Sequence, residues 1–594
     1  MTRPKIWRSY FYVNTTDTSI LKPYAGIYLD HCTDYSVTEN FFKRGTLTYS
    51  TGNTPGGYRI GIVVNNSGTE DNLIYNNIFS NLDIGILAQN RNRNSNGSKG
   101  LTIQCNEFNS TSKDIALTSA TPGSDKGIKE NQGNDANAVA LANNIFTGNQ
   151  FSLGFYDENL NLIRYFHAKL PAPIYINRIL PNINPPGNLL NVETNFAFYK
   201  ESCCPSKIIS GNNNAEELKS DLYALNDSIS QIQIELSQLT DGGDTPGTVM
   251  DISTGGPNQT LEVYQSLINK SPYLSDTALM ESVLNEWLLP NPALRDILLI
   301  NPQSAKKPEI IEGLDNRWQP FPEEMKAEVL ENREVTGPKE QLEIKLSALQ
   351  MKQWEKYSTI IDVYDTSSTS SASDSLKAFL QNQPVLSGKY ILASRLLYEG
   401  QPEQSLQTLQ QIMTLPEVDN SDLSEAGQQL VLFEWFKARA DSGFPIISAD
   451  SSIAEILWQL ASNSLSRTSM QACNILLANN LASYEEPYLL PQPSLKKGSK
   501  YQTLIKSEAL AKNTFKVYPN PAQDYLIVRY NIGNEALPAK LILSNAEGKP
   551  FLQQVLSRPV DERFVPVQHL KPGVFTLVVL GNNNLFLTSK IVIY

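Results

Sequence analysis

Val37-Thr-Glu-Asn40-Phe-Phe42, Ile74-Tyr-Asn-Asn77-Ile-Phe79, Ile103-Gln-Cys-Asn106-Glu-Phe108 and Leu141-Ala-Asn-Asn144-Ile-Phe146 repeat one pattern: an apolar residue, two others, Asn, one residue, then Phe. Short apolar strands lie between them, often opened by Gly: Gly26-Ile-Tyr-Leu29, Gly61-Ile-Val-Val64, Gly85-Ile-Leu-Ala88 and Ile115-Ala-Leu117. Strands this short, with Asn at the corners, predict a coil of parallel strands. One turn of such a coil cannot bury its inner face alone, so turn must stack on turn. Asn40, Asn77, Asn106 and Asn144 suit the corners, because Asn tolerates a left-handed backbone. An amide also donates and accepts, so stacked Asn side chains can bond along the coil as a ladder. The Phe two residues further on is expected to stack inside.

These residues resemble the right-handed parallel β-helix family, which includes pectate lyases, over roughly residues 1–205. The first domain is accordingly placed at 1–210. Gly-, Asn- and Ser-rich stretches from Gly45 to Tyr58, Asn90 to Lys99 and Thr118 to Asn137 read as surface loops.

After Cys204 the period changes. Leu218, Leu222, Leu225, Ile229, Ile232, Leu236 and Leu239 alternate spacings of four and three, a heptad stripe that predicts a helix over 215–239. Its expected partner is a helix near Glu340 to Tyr364, as a hairpin or short intramolecular coiled coil; pairing of two chains is the competing reading. A helical pattern continues to about Lys512, including a tetratricopeptide-type pair over 389–413 broken at Glu399-Gly400-Gln401-Pro402. The Ser/Thr stretch Thr366 to Ser375 reads as a loop. The second domain is therefore all-α, residues 211–512. Around Lys270-Ser-Pro-Tyr-Leu-Ser-Asp276 and Leu299-Ile-Asn-Pro302 it resembles helical regions that follow β-helices in surface proteins of Bacteroidetes, a likeness that brings no chemistry.

Residues 513–594 return to period two, with strands at short spacing and turns such as Asn545-Ala-Glu-Gly548, which predicts a small antiparallel, immunoglobulin-like sandwich. Tyr518-Pro519-Asn520-Pro521 with Leu526, then Gly548-Lys549, Leu570 with Gly573, and Lys590 near the end, resemble the C-terminal sorting domain of the type IX secretion system. Pro550 after Gly-Lys, and Val574-Phe575 in place of a single Tyr, depart from that pattern. The resemblance implies recognition by the type IX machinery, export across the outer membrane, and then removal of the domain with release or anchoring at the surface.

The bulk properties agree with such a destination. A chain of 594 residues needs several cores. A net charge of −12 argues against a nucleic-acid binder. No apolar run is long enough for a transmembrane helix. The opening Met1-Thr-Arg-Pro-Lys-Ile-Trp-Arg lacks a signal peptide, so the chain is expected to be a truncated product of a longer gene.

The residues offer little chemistry. Cys32, Cys105, Cys203, Cys204 and Cys473 have no metal-ligand spacing, and Cys32, Cys105 and Cys473 read as buried thiols, with a bond from Cys203 or Cys204 to a distant Cys left open. Neither a metal nor a cofactor is called for. Asp30, Arg59, Glu70, Asp71 and Asp83 could serve a polysaccharide lyase or hydrolase, but for each a solvated corner outweighs catalysis. His31 and His167 read as structural, and His569 as part of the sorting domain. No catalytic residue is assigned, and the reading leans away from an enzyme. Three functions remain: a secreted or cell-surface, adhesin-like structural or interaction protein, with surface glycans or other surface proteins as partners; a β-helix polysaccharide-active enzyme; and an extracellular assembly module acting through the helical region.

Overall fold

The computed structural model describes residues 4–594 except 15–22, 46–57, 148–152, 170–178, 185–188, 208–213, 415–417, 444–447, 451–453, 463–465 and 492–513, and positions 69, 122, 160, 180, 182, 198, 368, 370, 384–385, 419, 450 and 583–584. Two compact units result, one from Met1–Gln231 with Ile344–Gln492, the other from Ile232–Glu343 with Pro493–Tyr594. The expected domain limits at 210/211 and 512/513 lie outside the described residues, as does most of the Gly45–Tyr58 loop.

In the first unit the chain visits three parallel sheets in rotation. β1 (Lys5–Trp7), β2 (Tyr10–Val13) and β3 (Tyr24–Asp30) begin one sheet each. β4 (Ser36–Thr38), β5 (Phe41–Arg44) and β6 (Arg59–Asn65) pair beside them. β7 (Asn72–Tyr75), β8 (Ile78–Ser80) and β9 (Ile84–Gln89) come next, then β10 (Leu101–Gln104), β11 (Glu107–Asn109) and β12 (Lys113–Thr118). Of β13 (Asn131–Gln132), β14 (Leu153–Asp157), β15 (Ile163–His167), β16 (Ile183–Asn184) and β17 (Leu189–Glu193), β14 and β16 extend the third sheet, while β13, β15 and β17 form another.

The register stacks like on like. Val37 pairs with Ile74 and Ile74 with Ile103; Phe42 pairs with Phe79 and Phe79 with Phe108. The rings follow: Phe11, Phe42, Phe79, Phe108 and Phe146 stack in one column at 4.8–6.0 Å between centroids. Each buried ring stabilises by roughly 1.5–3 kcal/mol. The glycines near the start of the third-sheet strands, within β3, β6 and β9, make room for this column. A Cβ on Gly26, Gly61 or Gly85 would meet the ring of Phe42, Phe79 or Phe108 at 2.9, 2.5 and 2.6 Å. Gly and Phe in the repeat are two halves of one packing requirement.

One expectation is corrected at the corners. The left-handed residue is not the ladder Asn but the one before it: Glu39, Asn76, Cys105 and Asn143 have φ of 51–62°. This frees Asn40, Asn77, Asn106 and Asn144 to point their amides inward, where all four are buried. Cys105 is a second correction. It is bonded to Cys204 and so is not a free thiol; the bridge fastens the short helix Lys200–Cys203 to the strands.

Helices complete this unit. Leu218 and Leu222, from the helix Ala215–Leu239, pack with Tyr357, Ile361 and Tyr364 from the helix Pro338–Thr366. Lys356 donates to Asp221 at 2.6 Å and Gln353 to Asn226 at 2.7 Å along the same seam. Leu386–Tyr398 and Pro402–Ile412 form the pair expected near 389–413. Part of the Ser/Thr stretch is helical, since Ala372–Asn382 begins within it and buries Leu376, Phe379 and Leu380. The last helix among the described residues is Arg467–Ala478. Pro487 and Pro491 cannot supply helix N–H donors, and 482–491 carry no regular secondary structure.

That run straps the outward face of the third sheet. Tyr488 and Leu490 join Ile60, Val63, Ile84, Leu87, Ala116 and Tyr156 in one apolar cluster. Tyr28 Oη and Gln89 Nε2 both donate to Pro487 O, at 2.5 and 2.6 Å. Leu489 N donates to Gln89 Oε1 at 2.9 Å, and Thr118 Oγ1 to Leu489 O at 2.8 Å.

The second unit joins the helices from Thr245–Thr254 to Glu323–Glu331 with antiparallel strands. β18 (Thr514–Tyr518), β19 (Tyr525–Asn531) and β22 form one sheet; β20 (Ala539–Asn545), β21 (Pro550–Leu556), β23 and β24 form the other, with β22 at Val560–Pro566, β23 at Gly573–Leu580 and β24 at Phe586–Ile593. Their facing sides bury Leu526, Val528, Leu541, Leu543, Val565, Leu577, Val579 and Ile591. The outer side of the smaller sheet also packs, because Ile527 and Phe564 join the helical core of Leu294, Ile297 and Leu298. Arg295 is 1% exposed there and donates to Asp561 at 2.5 Å. Removing one partner of a pair this buried costs about 3–5 kcal/mol, which makes the contact selective.

Candidate functional site

The C-terminal sandwich gathers residues that sequence reading assigned to sorting. Asn545 pairs with Phe575 and Phe575 with Ile591, while Gly573 pairs with Ile593. Ala522 bridges to Ile593. The Asn545–Lys549 turn, Gly573 and the stretch before Ala522 therefore share one end of the sandwich. Gly548 has φ of 80°, and Lys549 N donates to Asn545 Oδ1 at 2.9 Å, closing the turn. Asn520 is the clasp: Nδ2 donates to Lys590 O at 2.7 Å and Oδ1 accepts from Val592 N at 2.9 Å. Pro519, Asn520, Pro521, Gly548, Lys549, Gly573 and Lys590 are exposed, and Tyr518 is 42% exposed with its hydroxyl 3.4 Å from Glu562. Leu526 and Leu570 lie in the core instead, at 0% and 7%.

The ladder is continuous. Asn40 Nδ2 donates to Asn77 Oδ1 at 2.9 Å, Asn77 Nδ2 to Asn106 Oδ1 at 2.9 Å, and Asn106 Nδ2 to Asn144 Oδ1 at 3.1 Å. Tyr165 Oη caps it at 3.3 Å from Asn144 N.

The carboxylates weighed for catalysis are dispersed into separate contacts. Asp30 accepts from Asn65 at 2.9 Å and from Tyr484 Oη, with His31 Nδ1 2.6 Å away. Asp83 accepts from Arg59 N at 2.8 Å and lies 3.5 Å from its guanidinium. Arg59 is thus buried and paired rather than at a solvated corner. Asp71 is no solvated corner: it is 5% exposed and takes the Lys129 ammonium at 2.8 Å. Glu70 is half-buried. His167 Nδ1 is 2.9 Å from Ala168 O, and His569 is exposed. Among the described residues no His, Cys, Asp and Glu cluster could hold a metal.

One carboxyl is strongly perturbed. Burial pushes Asp157 up to about 8, opposed by the Asn159 backbone N–H and by Arg93. Such an acid holds its proton more tightly folded than unfolded. The stability it confers is complete below the unfolded value of 3.8 and is lost as pH rises through the folded one. The stability of the first unit is expected to fall between about pH 4 and pH 8. Asp157→Asn, which keeps the neutral shape, should remove that share of the slope in a thermal-melt series.

The strap at 484–490 and the Lys129–Asp71 pair were not anticipated. Tyr484, Tyr488 and Leu490, large apolar residues beside Pro487, were a usable signal for the strap; nothing local links residues 71 and 129.

Residues 514–594 thus form an antiparallel sandwich with a closed turn and an Asn520 clasp at one end. Residues 516–594 match the family described as the Secretion system C-terminal sorting domain. The match supports export by the type IX system to the cell surface or extracellular space, and interaction with that machinery. No curated protein matches the chain. No helix among the described residues is long and apolar enough to cross a membrane.

Proposed function

We propose that this is a secreted or cell-surface structural protein of adhesin-like character, displayed by type IX export. Its domains are a right-handed parallel β-helix over 1–210, a helical region over 211–512 and the sorting domain over 513–594. The rotation of strands through three parallel sheets, with the Asn and Phe columns, supports the β-helix. Tyr518, Pro519, Asn520, Pro521, Gly548, Lys549, Gly573 and Lys590 form the recognised end, with Leu526 and Leu570 holding it from the core.

The observation that carries the non-enzymatic reading is the fate of the acidic groups. Asp30, Asp71 and Asp83 are each engaged by different structural partners, which supports structural roles over the shared cleavage point that lyases and hydrolases need. Surface glycans or other surface proteins are the expected partners. A glycan array and a lyase and hydrolase assay on the secreted protein test this together. Binding without turnover is the expected result; cleavage that survives Asp30→Asn but not Asp83→Asn would replace this reading with the enzymatic one.

A further inference from the structure

Trp287 and Trp318, in the second unit, are 72% and 76% exposed. Their indoles lie together, with ring centroids 5.8 Å apart and planes 27° from parallel. Exposure this high leaves each ring an open aromatic face despite its neighbour. The chain around them does the opposite. Leu288 and Leu289, which follow Trp287, are buried, as is Phe321 after Trp318. Both turns have packed their other large apolar residues inside and left the indoles in water.

The two turns are fastened to each other. Arg317 is buried and donates to Val283 O and Leu289 O at 2.6 and 2.7 Å. The Glu286 carboxylate accepts from Trp318 N at 2.6 Å and from Gln319 N at 3.2 Å. Each of these residues immediately precedes a Trp and reaches across to the other turn. Rings on a base fixed this way lose little freedom when something docks on them.

Area, charge and hydrogen bonding select the occupant. A covered Trp buries about 150–250 Å². Two of them, even with exposed Leu284 three residues before Trp287, fall short of the about 800 Å² per partner that a stable protein contact takes. Residues 285–291 and 316–321 carry only two charges, Glu286 and Arg317, of opposite sign, so the turns offer an ionic ligand no net attraction. The exposed amides of Asn316 and Gln319 flank Trp318 in the chain, and an amide both donates and accepts. An aromatic face is electron-rich and attracts the slightly positive C–H groups of a flat ligand.

We propose that the Trp287–Trp318 pair is a docking platform for a neutral glycan of glucose-type pyranoses. Their equatorial hydroxyls leave C–H groups on both ring faces and project polar groups at the rim, where amides can meet them. The inference rests on the adhesin-like reading above and gives its glycan partner a place and a chemistry.

Calorimetric titration of the full chain with cellohexaose and chitohexaose tests it. Saturable binding of a hexaose is expected. Trp287→Ala and Trp318→Ala should each weaken it about tenfold, and Trp287→Phe, which keeps an aromatic face, should weaken it less. Added salt should leave the affinity unchanged, since no charge is engaged. Both Ala variants should melt like the parent chain, because side chains this exposed contribute little to the fold. Absence of heat with both hexaoses, or parental affinity in both Ala variants, overturns the platform. Trp-dependent binding of hexalysine in preference to either hexaose also overturns it, since the pair would then be a cation site. So does a dimer in sedimentation that the Ala variants dissolve. Adherence of cells displaying the chain judges the adhesin-like reading separately. Parental adherence by both Ala variants, with no hexaose heat, keeps that reading and removes the platform; no adherence by the parent chain removes that reading, while the titration still decides the platform.

Discussion

Given the same signal peptide in a host with the type IX machinery, a chain ending at residue 513 will accumulate in the periplasm, whereas the full chain will reach the medium or the outer surface. The expectation follows from the match over 516–594 and from how that stretch folds. Its two sheets share a core from Leu526 to Ile591, and Asn520 ties the Pro519–Pro521 stretch to the last strand. Recognition by another protein works best on a surface ordered before binding, since little entropy is then lost on docking. Asn520→Ala removes both hydrogen bonds of the clasp, each worth about 0.5–1.5 kcal/mol, while leaving the core intact. Export should therefore drop sharply in this variant while the isolated fold persists by circular dichroism. Immunoblots of periplasm, surface and medium decide it; undiminished export of the chain ending at 513 would refute the assignment.

The second large effect is expected from the ladder. Asn77 Nδ2 donates to Val37 O and Asn106 Oδ1, each at 2.9 Å, and to Tyr75 O at 3.1 Å; its Oδ1 accepts from Asn40 N and Asn40 Nδ2, each at 2.9 Å. Asn77→Leu would orphan several of these groups where water cannot reach. At about 1–3 kcal/mol for each unmatched group, with some relief by relaxation, the first unit should lose about 3–5 kcal/mol. A denaturant titration followed through a probe in each unit should show the first transition shift and the second hold. Equal stability of the variant would mean that the Asn column contributes little beyond its neighbours.

What could be read in advance was set by periodicity. The Asn-x-Phe repeat works because each turn adds one identical layer, so four copies expose the same constraint four times. The heptad leucines and the alternating C-terminal strands are legible for the same reason, since each buries one face at a fixed spacing. The left-handed corner was misassigned by one residue, because pattern alone does not show which Asn in Asn76-Asn77 bends and which one bonds. Contacts between remote positions were not legible. Nothing near Cys105 names Cys204 as its partner. The burial of Asp71 failed for that reason too: its local sequence reads as a turn, and only Lys129, 58 residues away, explains it.

The strap along the third sheet has a mechanical consequence. It climbs from β3, where Tyr484 and Pro487 meet Asp30 and Tyr28, to β12, where Leu489 meets Thr118. Because these contacts fall on strands at both ends of that span, they couple β3 to β12, so parting one layer of strands from the next means breaking strap contacts as well as strand pairing.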